Sequence, residues 1–512
     1  MQRSICTRIQ IMEPDVTVLN RRTILTTGIA AGLAACSKAS TSLAPSASSS
    51  SSAGAIPFTD SDVIVVGAGL AGLYSTLLLE EMGLSVTLLE GRERVGGRLY
   101  TMDDVPGAPE AGGSGIGSIY GRLLGAAERY GIALGPERRR TVPVPEISMM
   151  NISGTHIGFD EWGTHRLNPM PEPYRDSLPW YVQYALYAED NPLKSTIEVT
   201  DPKFSAFDIS TYQFFQERGF SPEAIRLAAG TNMSYGDEAG PHGLSALMMQ
   251  HIIAFGRLGS SNRMPGSPFA GKGGNQRIPE GMASFVKSDI HFGARVRGIR
   301  HEQDHAEVHL TDGRVAKAKF VIVTAPLSAL RLIKLDAPAH PAQREAIRTV
   351  GYTNVTHLHF VPTRKFWDDD GLPPSMWTDG PTARFMALRN DPANPEDITS
   401  FIAFANDRVA NHLDRLGPEL SSQYILNYLA QIRPATKGAL QFVKFWSWQL
   451  DPFAGGAYAA WRPGQLTRLG RHVAAPAGRI HFAGEHTAFA NRGMEAAMES
   501  GERAAFAVAE LV

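Results

Sequence analysis

Residues Val63–Val66 form an unbroken β-branched run, the pattern of a strand buried on both faces of a parallel sheet. Gly67, Gly69 and Gly72 follow at once, and Leu70, Leu73, Leu77 and the neighbouring leucines carry an apolar helical face to Gly83. Val86–Leu89 reads as the next strand, and Glu90 ends it. From about Thr141 to Asn262 the chain turns aromatic, proline-punctuated and helical. Ser221-Pro222-Glu223 is a helix start, and Leu244 to Phe255 has apolar helical spacing. Trp180, Tyr181, Tyr184 and Tyr187 sit at near-helical spacing, a stripe more often core than substrate wall. Strands are then expected around Arg295-Val296-Arg297 and over Ala306–Leu310, beside the Asp312-Gly313 hairpin signal, and over Val321–Val323. Near the end, Gly478 to Glu485 reads as a strand running into a turn, followed by a small-residue helix from Met494 to Ala505.

The first of these stretches carries chemistry. Gly67, Gly69 and Gly72 fill the G-x-G-x-x-G pattern where strand turns into helix. The first permits a tight turn, the second lets backbone approach a pyrophosphate, and the third lets the helix pack on the sheet. The helix N-terminus supplies a positive dipole end. Glu90, just over twenty residues on, is placed to accept hydrogen bonds from the ribose hydroxyls of an adenosine.

Composition excludes several classes. The 512 residues are 43% hydrophobic and 20% charged with a formal net charge of -2, so there is no electrostatic footprint for nucleic acid. The length allows two to four domains. Both cysteines, Cys6 and Cys36, precede the first strand, so the body offers neither a disulfide framework nor a thiol. No residues suggest a metal site.

The N-terminus reads as an address. Arg21-Arg22 before the uncharged apolar stretch Ile24–Ala35 has the layout of a twin-arginine signal, much shorter than the ~20 residues of a spanning helix. Leu33-Ala34-Ala35-Cys36 is similar to a lipobox, which would lipidate Cys36; an ordinary cleavage site is the alternative. The expected layout is therefore a signal over 1–36, a Ser/Ala-rich tether over 37–57, and export by the twin-arginine translocase to the periplasm, with or without a membrane tether.

Beyond Glu90, Arg92-Glu93-Arg94-Val95-Gly96-Gly97-Arg98 resembles the second flavin signature of glutathione-reductase-like flavoproteins, in particular the flavin amine oxidases. Glu110 to Gly117 resembles the segment that runs beneath the flavin, including Gly113, and Gly273 to Pro279 the return to the FAD domain. Gly478–Glu485 and Met494–Ala505 closely resemble the family's closing motif, and Trp448 with Gly455-Gly456-Ala457-Tyr458 its cofactor and cage segment.

The resemblance implies an α/β fold of amine-oxidase architecture. A Rossmann-like FAD-binding domain would be assembled from 58–120, 263–332 and 445–512, with an α+β substrate-binding domain from 121–262 and 333–444. Gly96, Gly97 and Arg98 would meet the diphosphate, the Val296 backbone the adenine, Glu485 the ribityl chain, and the Met494 backbone the isoalloxazine O2, with Arg92 and Gly484 also among the cofactor-binding residues. Ala457 stands where some members bond flavin through cysteine, so FAD is expected to be non-covalent.

Departures from the family pattern bear on the substrate. Gly115 replaces the arginine that binds the substrate carboxylate in the family's L-amino acid oxidases, which counts against a simple α-amino acid. Arg122 two helical turns on is read as an exposed helix arginine rather than a substitute. Tyr458 matches one wall of the aromatic cage, whereas Gly493 stands where the other is usual. His357 replaces a lysine hydrogen-bonded through water to flavin N5. Histidine could hold that water, with a charge responsive to pH near neutrality, or face elsewhere from its strand.

The implied reaction is oxidation of an amine by hydride transfer to flavin N5. That transfer would leave an imine, which water hydrolyses to aldehyde or ketone with release of ammonia or an amine; dioxygen would reoxidise the flavin to give hydrogen peroxide, with another electron acceptor as the alternative to dioxygen. With a free pKa near 10.4, as for lysine, deprotonating the amine at pH 7 costs about 4.6 kcal/mol, part of which an apolar pocket offsets. The alternatives are an L-amino acid oxidase, a flavin desaturase or dehydrogenase on a non-amine, and a non-catalytic flavin-binding protein. A homodimer is left open.

Overall fold

The strand Ser61–Val66 lies inside an eight-stranded sheet, with Val86–Leu89 parallel to it on one side and Val315–Val323 parallel on the other. The computed structural model describes residues 58, 60–136, 148–231, 243–261, 269–391 and 393–512. The signal and tether expected over 1–57 lie outside the described residues.

Val315–Val323 changes character along its length. Its first part alternates exposed and buried positions and pairs antiparallel with Ala306–Leu310. From Phe320 it is buried at every position, and there it also runs parallel to Ile480–Phe482. Period-2 patterning thus gives way to a continuous apolar run where helices cover both faces. Val296–His301 and Lys334–Asp336 complete one edge and Ile290–His291 the other. Lys334–Asp336 belongs to this sheet, so the boundary expected at 332 falls a few residues later.

The helix Leu70–Glu81 is held close on two sides. A Cβ on Gly72 would lie 1.7 Å from the Gly67 carbonyl oxygen, and one on Gly501 would lie 2.4 Å from that of Ala71. Gly501 belongs to the helix Gly493–Ala509, which crosses here, and Leu73 and Leu77 share a core with Met498, Ala504 and Ala505. The helix Gly121–Arg129 puts Leu123 and Ala126 into the same core, so it packs with the first sheet although the expected boundary at 120 excluded it.

A second, seven-stranded sheet runs in the order Leu440–Ser447, Val355–Pro362, Ser400–Asn406, Arg384–Leu388, Met376–Thr378, Met149–Ile152, Thr155–Gly158. All neighbours are antiparallel except Met376–Thr378 with Met149–Ile152. Leu358, Phe360, Phe385 and Phe401 pack on one face beneath the helix Asp407–Ile432, through Leu413, Ile425 and Leu429. The opposite face is the one that matters for function, because side chains two apart on each strand return to it.

The aromatic stripe at 180–187 is not a single wall. Trp180 and Tyr187 are buried, Trp180 stacked on Trp377 at 4.0 Å and Tyr187 on Phe214 at 4.9 Å, while Tyr181 and Tyr184 are exposed. Among the described residues no helix is long and apolar enough to cross a membrane.

The Gly501 crossing yields a stability prediction. Gly501→Leu forces its side chain against the Ala71 backbone, and overpacking of this kind costs about 1–3 kcal/mol. The thermal midpoint should fall by several degrees, with Gly501→Ala intermediate. A Gly501→Leu protein that melts with the wild type would contradict the close crossing.

Candidate active site

The turn after Ser61–Val66 is fixed by the side chain of Glu90. Its Oε2 accepts from the Ala68 N–H at 2.8 Å and its Oε1 from the Arg92 N–H at 2.9 Å, and the residue is 4% exposed. The carboxylate therefore ties the glycine turn to the next loop, and each oxygen has capacity for a further donor. The Gly96 N–H closes the arrangement on the Ala68 carbonyl at 2.8 Å.

Gly69 and Gly97 face each other across this turn: a Cβ on Gly97 would stand 3.4 Å from the Gly69 Cα. Side chains at either position would fill the gap between the two loops. Gly72 is set back from the gap and serves helix packing, the role its place in the motif implies.

Three arginines of the second motif have different tasks. Arg94 donates to the carbonyls of Val95 and Gly97 at 3.1 and 2.9 Å and so shapes its own loop. Arg92 Nη2 donates to both oxygens of Asp451 at 2.8 Å. Arg98 Nη1 donates to the Ala457 carbonyl at 2.7 Å and to Glu485 Oε1 at 2.9 Å, joining the motif to the closing segment. Burial alone would raise the Glu485 carboxyl, but the Arg98 guanidinium and His486 beside it hold it below its ordinary value.

One cavity of about 530 Å³ begins at these loops and ends on the open face of the second sheet. Its volume lies in the range of small-molecule sites. Gly67, Gly69, Glu90, Arg92, Gly96 and Gly97 line it at the first end, with Val296 nearby. Arg98, Gly113, Gly484, Glu485 and Met494 line it further in. The 17-residue helix Gly493–Ala509 meets it at Gly493, Met494 and Ala497, so its positive dipole end points at the cavity.

At the far end the wall is His357, Phe404, Arg384, Met386, Ile402 and Val355, with Tyr458, Gly115 and Gly493. His357 is 5% exposed, and neither ring nitrogen has a hydrogen-bond partner among the described residues. Its ring packs 4.4 Å from Phe404. Burial first, then His359 and Arg384, hold it well below the usual histidine value. The expected response to pH near neutrality is thereby corrected: His357 is a neutral imidazole at pH 7.

Every residue expected at the cofactor or substrate site except Gly72 lines this one cavity. Arg122, read as an exposed helix arginine, does not; it pairs with Glu502 at 2.7 Å and Glu495 at 3.4 Å. The sequence reading missed Arg384, Phe404 and Tyr120. A signal for the first was present: Arg384-Phe385-Met386-Ala387-Leu388 is apolar apart from its arginine. The Tyr120 hydroxyl lies 3.5 Å from where a Cβ on Gly493 would stand, which puts an aromatic ring from a different element beside that position.

The family model described as flavin-containing amine oxidoreductase matches residues 70–509. The chain is 26% identical to the L-amino-acid oxidase BmooLAAO-I of Bothrops moojeni over 462 residues, covering 86% of this chain and 88% of that one. It is also 26% identical to the flavin-containing amine oxidase of Danio rerio over 464 residues, covering 86% and 84%. Among solved structures, cyclohexylamine oxidase from Brevibacterium oxydans IH-35A is similar with a TM-score of 0.70 at 20% identity, covering 88% and 99%. Wild-type putrescine oxidase bound to putrescine is similar with a TM-score of 0.67 at 22% identity, covering 88% and 99%.

The Arg98–Glu485 pair makes stability sensitive to acid. A carboxyl depressed in the folded state contributes stability above its unfolded pKa of about 4.3, and that contribution is lost as pH falls through the folded value. Glu485→Gln should lower stability at pH 7 by about 1–3 kcal/mol. It should also flatten the decline below about pH 4, as read from urea midpoints across pH. An unchanged acid limb would remove Glu485 from that role.

Proposed function

The chain belongs to the flavin-containing amine oxidoreductase family, and on that premise we propose that it is an oxidase that holds FAD non-covalently and passes its electrons to dioxygen. FAD-dependent oxidation of an amine is the activity of this family.

The observation that carries the reading is the continuity of the cavity. The facing backbones of Gly69 and Gly97, with Glu90 beneath them, leave a gap of the kind a diphosphate and ribose require, and side chains there would close it. The same cavity reaches the His357 face without interruption, so a cofactor laid along it would meet a substrate. A pocket walled off from the cofactor, as a non-catalytic carrier would have, does not fit this arrangement. Ala457 in the wall and a body without cysteine leave no thiol for a covalent bond. Gly67, Gly69, Glu90, Gly96, Gly97 and Arg98 would hold the adenosine diphosphate part, and Gly113, Glu485 and Met494 the flavin part.

When bound, FAD supplies the two-electron acceptor for the carbon that bears the amine. The chain's task is to present that amine neutral and in place. Apolar walls from Met386, Ile402 and Phe404 disfavour the ammonium form, and Tyr458 stands beside them with its main chain fixed by Thr353, whose N–H donates to the Tyr458 carbonyl at 2.8 Å. Burial, with His359 and Arg384 nearby, disfavours a proton on His357 and so makes its ring a weak proton acceptor. Its unpartnered ring nitrogens suit it instead to hold a water at the reacting end.

For residues 1–57 we propose export by the twin-arginine pathway and a periplasmic location with Cys36 as a lipid anchor. Arg21-Arg22 and Leu33–Cys36 support this reading. Arg21→Lys with Arg22→Lys should leave the full chain in the cytoplasm. Cys36→Ser should release it from the membrane fraction, and a Cys36→Ser protein that stays membrane-bound would remove the anchor.

The flavoprotein itself, from about Ala53 onward, is to be mixed without oxygen with primary, secondary and aromatic amines and with amino acids, following the oxidised flavin band. Bleaching, then recovery in air with peroxide, is the expected result. Bleaching that air does not reverse would replace dioxygen by another acceptor. A flavin that dithionite reduces but no member of the panel does would remove the amine-oxidase reading.

A further inference from the structure

A buried arginine stands in the cavity wall one strand away from Phe404 and two from His357. The register makes this exact at the backbone: His357 pairs with Phe404, and Phe404 with Arg384. The three therefore form one row across three neighbouring strands, on the face that closes the far end of the cavity. Arg384 is 3% exposed. Its guanidinium lies 4.6 Å from the centre of the Phe404 ring and 5.2 Å from that of Trp377, which is itself stacked on Trp180. Nη1 also donates to Met386 Sδ at 3.7 Å. The head group is thus set between aromatic rings, in a geometry that holds its plane. Burial brings its pKa down to about 9, so it remains charged at pH 7.

Charges of both signs line the dinucleotide and central parts of the cavity. Glu90, Glu110 and Glu485 stand there with Arg92, Arg98 and Arg295; Glu90 takes backbone N–H groups, Arg92 pairs with Asp451 and Arg98 with Glu485. Arg122 is turned away onto Glu495 and Glu502, and Gly115 carries no side chain. Arg384 is the charged residue that lines the His357 end among the described residues. A planar cation in an apolar wall favours a planar anion, and a carboxylate matches its fork in a two-point contact.

We propose that Arg384 is the specificity-determining residue of this site and receives a carboxylate of the substrate, so that the preferred amine is an amino acid. The inference rests on the amine-oxidase reading above and assigns the anion contact to the second sheet instead of to position 115. A substrate bound this way has its carboxylate on Arg384 and its amine-bearing carbon on the cavity side of the row.

The test uses the flavin-loaded enzyme and matched pairs that differ by one carboxylate: L-phenylalanine with 2-phenylethylamine, L-leucine with 3-methylbutylamine, and 4-aminobutanoate with propylamine. Anaerobic flavin reduction should have the lower KM for the acid in at least one pair. Arg384→Met should raise that KM on the order of 100-fold and reduce the acid-over-amine preference by a similar factor, and Arg384→Lys should restore part of the preference. Binding is read separately with benzoate against benzamide, by thermal shift and by perturbation of the flavin band. Benzoate should bind the wild type more tightly than benzamide, and Arg384→Met should abolish that preference. The proposal is overturned if the carboxylate-free amine is preferred in every pair, if both members lose equally in Arg384→Met, or if benzoate and benzamide bind alike. If no pair reduces the flavin while benzoate still selects for Arg384, the anion site stands and the amine-oxidase reading fails.

Discussion

Two backbone approaches position the rest of the site: Gly72 against the Gly67 carbonyl and Gly501 against that of Ala71. Between them the helix Leu70–Glu81 is clamped from the glycine turn on one side and the closing helix on the other. The first contact sets where the turn faces Gly97, and the second sets where the N-terminus of Gly493–Ala509 meets the cavity. Neither approach tolerates a side chain, so residues more than four hundred positions apart share one steric condition. Glu90 and the Arg98–Glu485 pair then lock what those contacts bring together.

The two ends of the cavity use charge in opposite ways. At the glycine end, carboxylates are consumed by backbone donors and by arginine, which fixes loops. At the His357 end an arginine lies in apolar surroundings, and its field acts on two groups of a substrate at once. At a separation of about 6 Å and an effective dielectric near 20, one unit charge shifts another by roughly 2–3 kcal/mol. For an ammonium that is an opposition, comparable to half of the ~4.6 kcal/mol needed to deprotonate a simple amine at pH 7. For a carboxylate it is an attraction of the same size. On the proposed reading, a site walled by Met386, Ile402 and Phe404 with Arg384 among them would favour the neutral amine and the ionised acid together and would need no strong base.

What could be read from the chain alone depended on how local the constraint is. The glycine motif and Glu90 were legible because strand, turn, helix and strand follow within thirty residues, and the backbone demands that define the motif arise there. His357 was legible as a position but not as an environment: a strand residue faces one of two ways, and only the packing of Phe404 and the burial it brings show a neutral ring turned to the cavity. Arg384 was not found, since its significance comes from register with Phe404 and His357, which lie on strands distant in the sequence. The stripe at 180–187 was ambiguous for the same reason. Its helix is real, but Trp180 and Tyr187 face the core and Tyr181 and Tyr184 face out. The boundaries at 120 and 332 slipped because Gly121–Arg129 and Lys334–Asp336 are tied to the first sheet by packing and pairing, which no composition shift marks.

The second sheet explains how one architecture can keep its cofactor end and change its substrate. Leu358, Phe360, Phe385 and Phe401 bind the sheet to the helix Asp407–Ile432 from one side, and that packing holds the strands whatever occupies the other face. Because side chains alternate, the cavity-facing positions 355, 357, 384, 386, 402 and 404 can vary without disturbing that core. The cofactor end has no such freedom, since its glycines are set by backbone contact. The row proposed to set selectivity, from His357 through Phe404 to Arg384, lies on that cavity face and apart from the packing that holds the sheet.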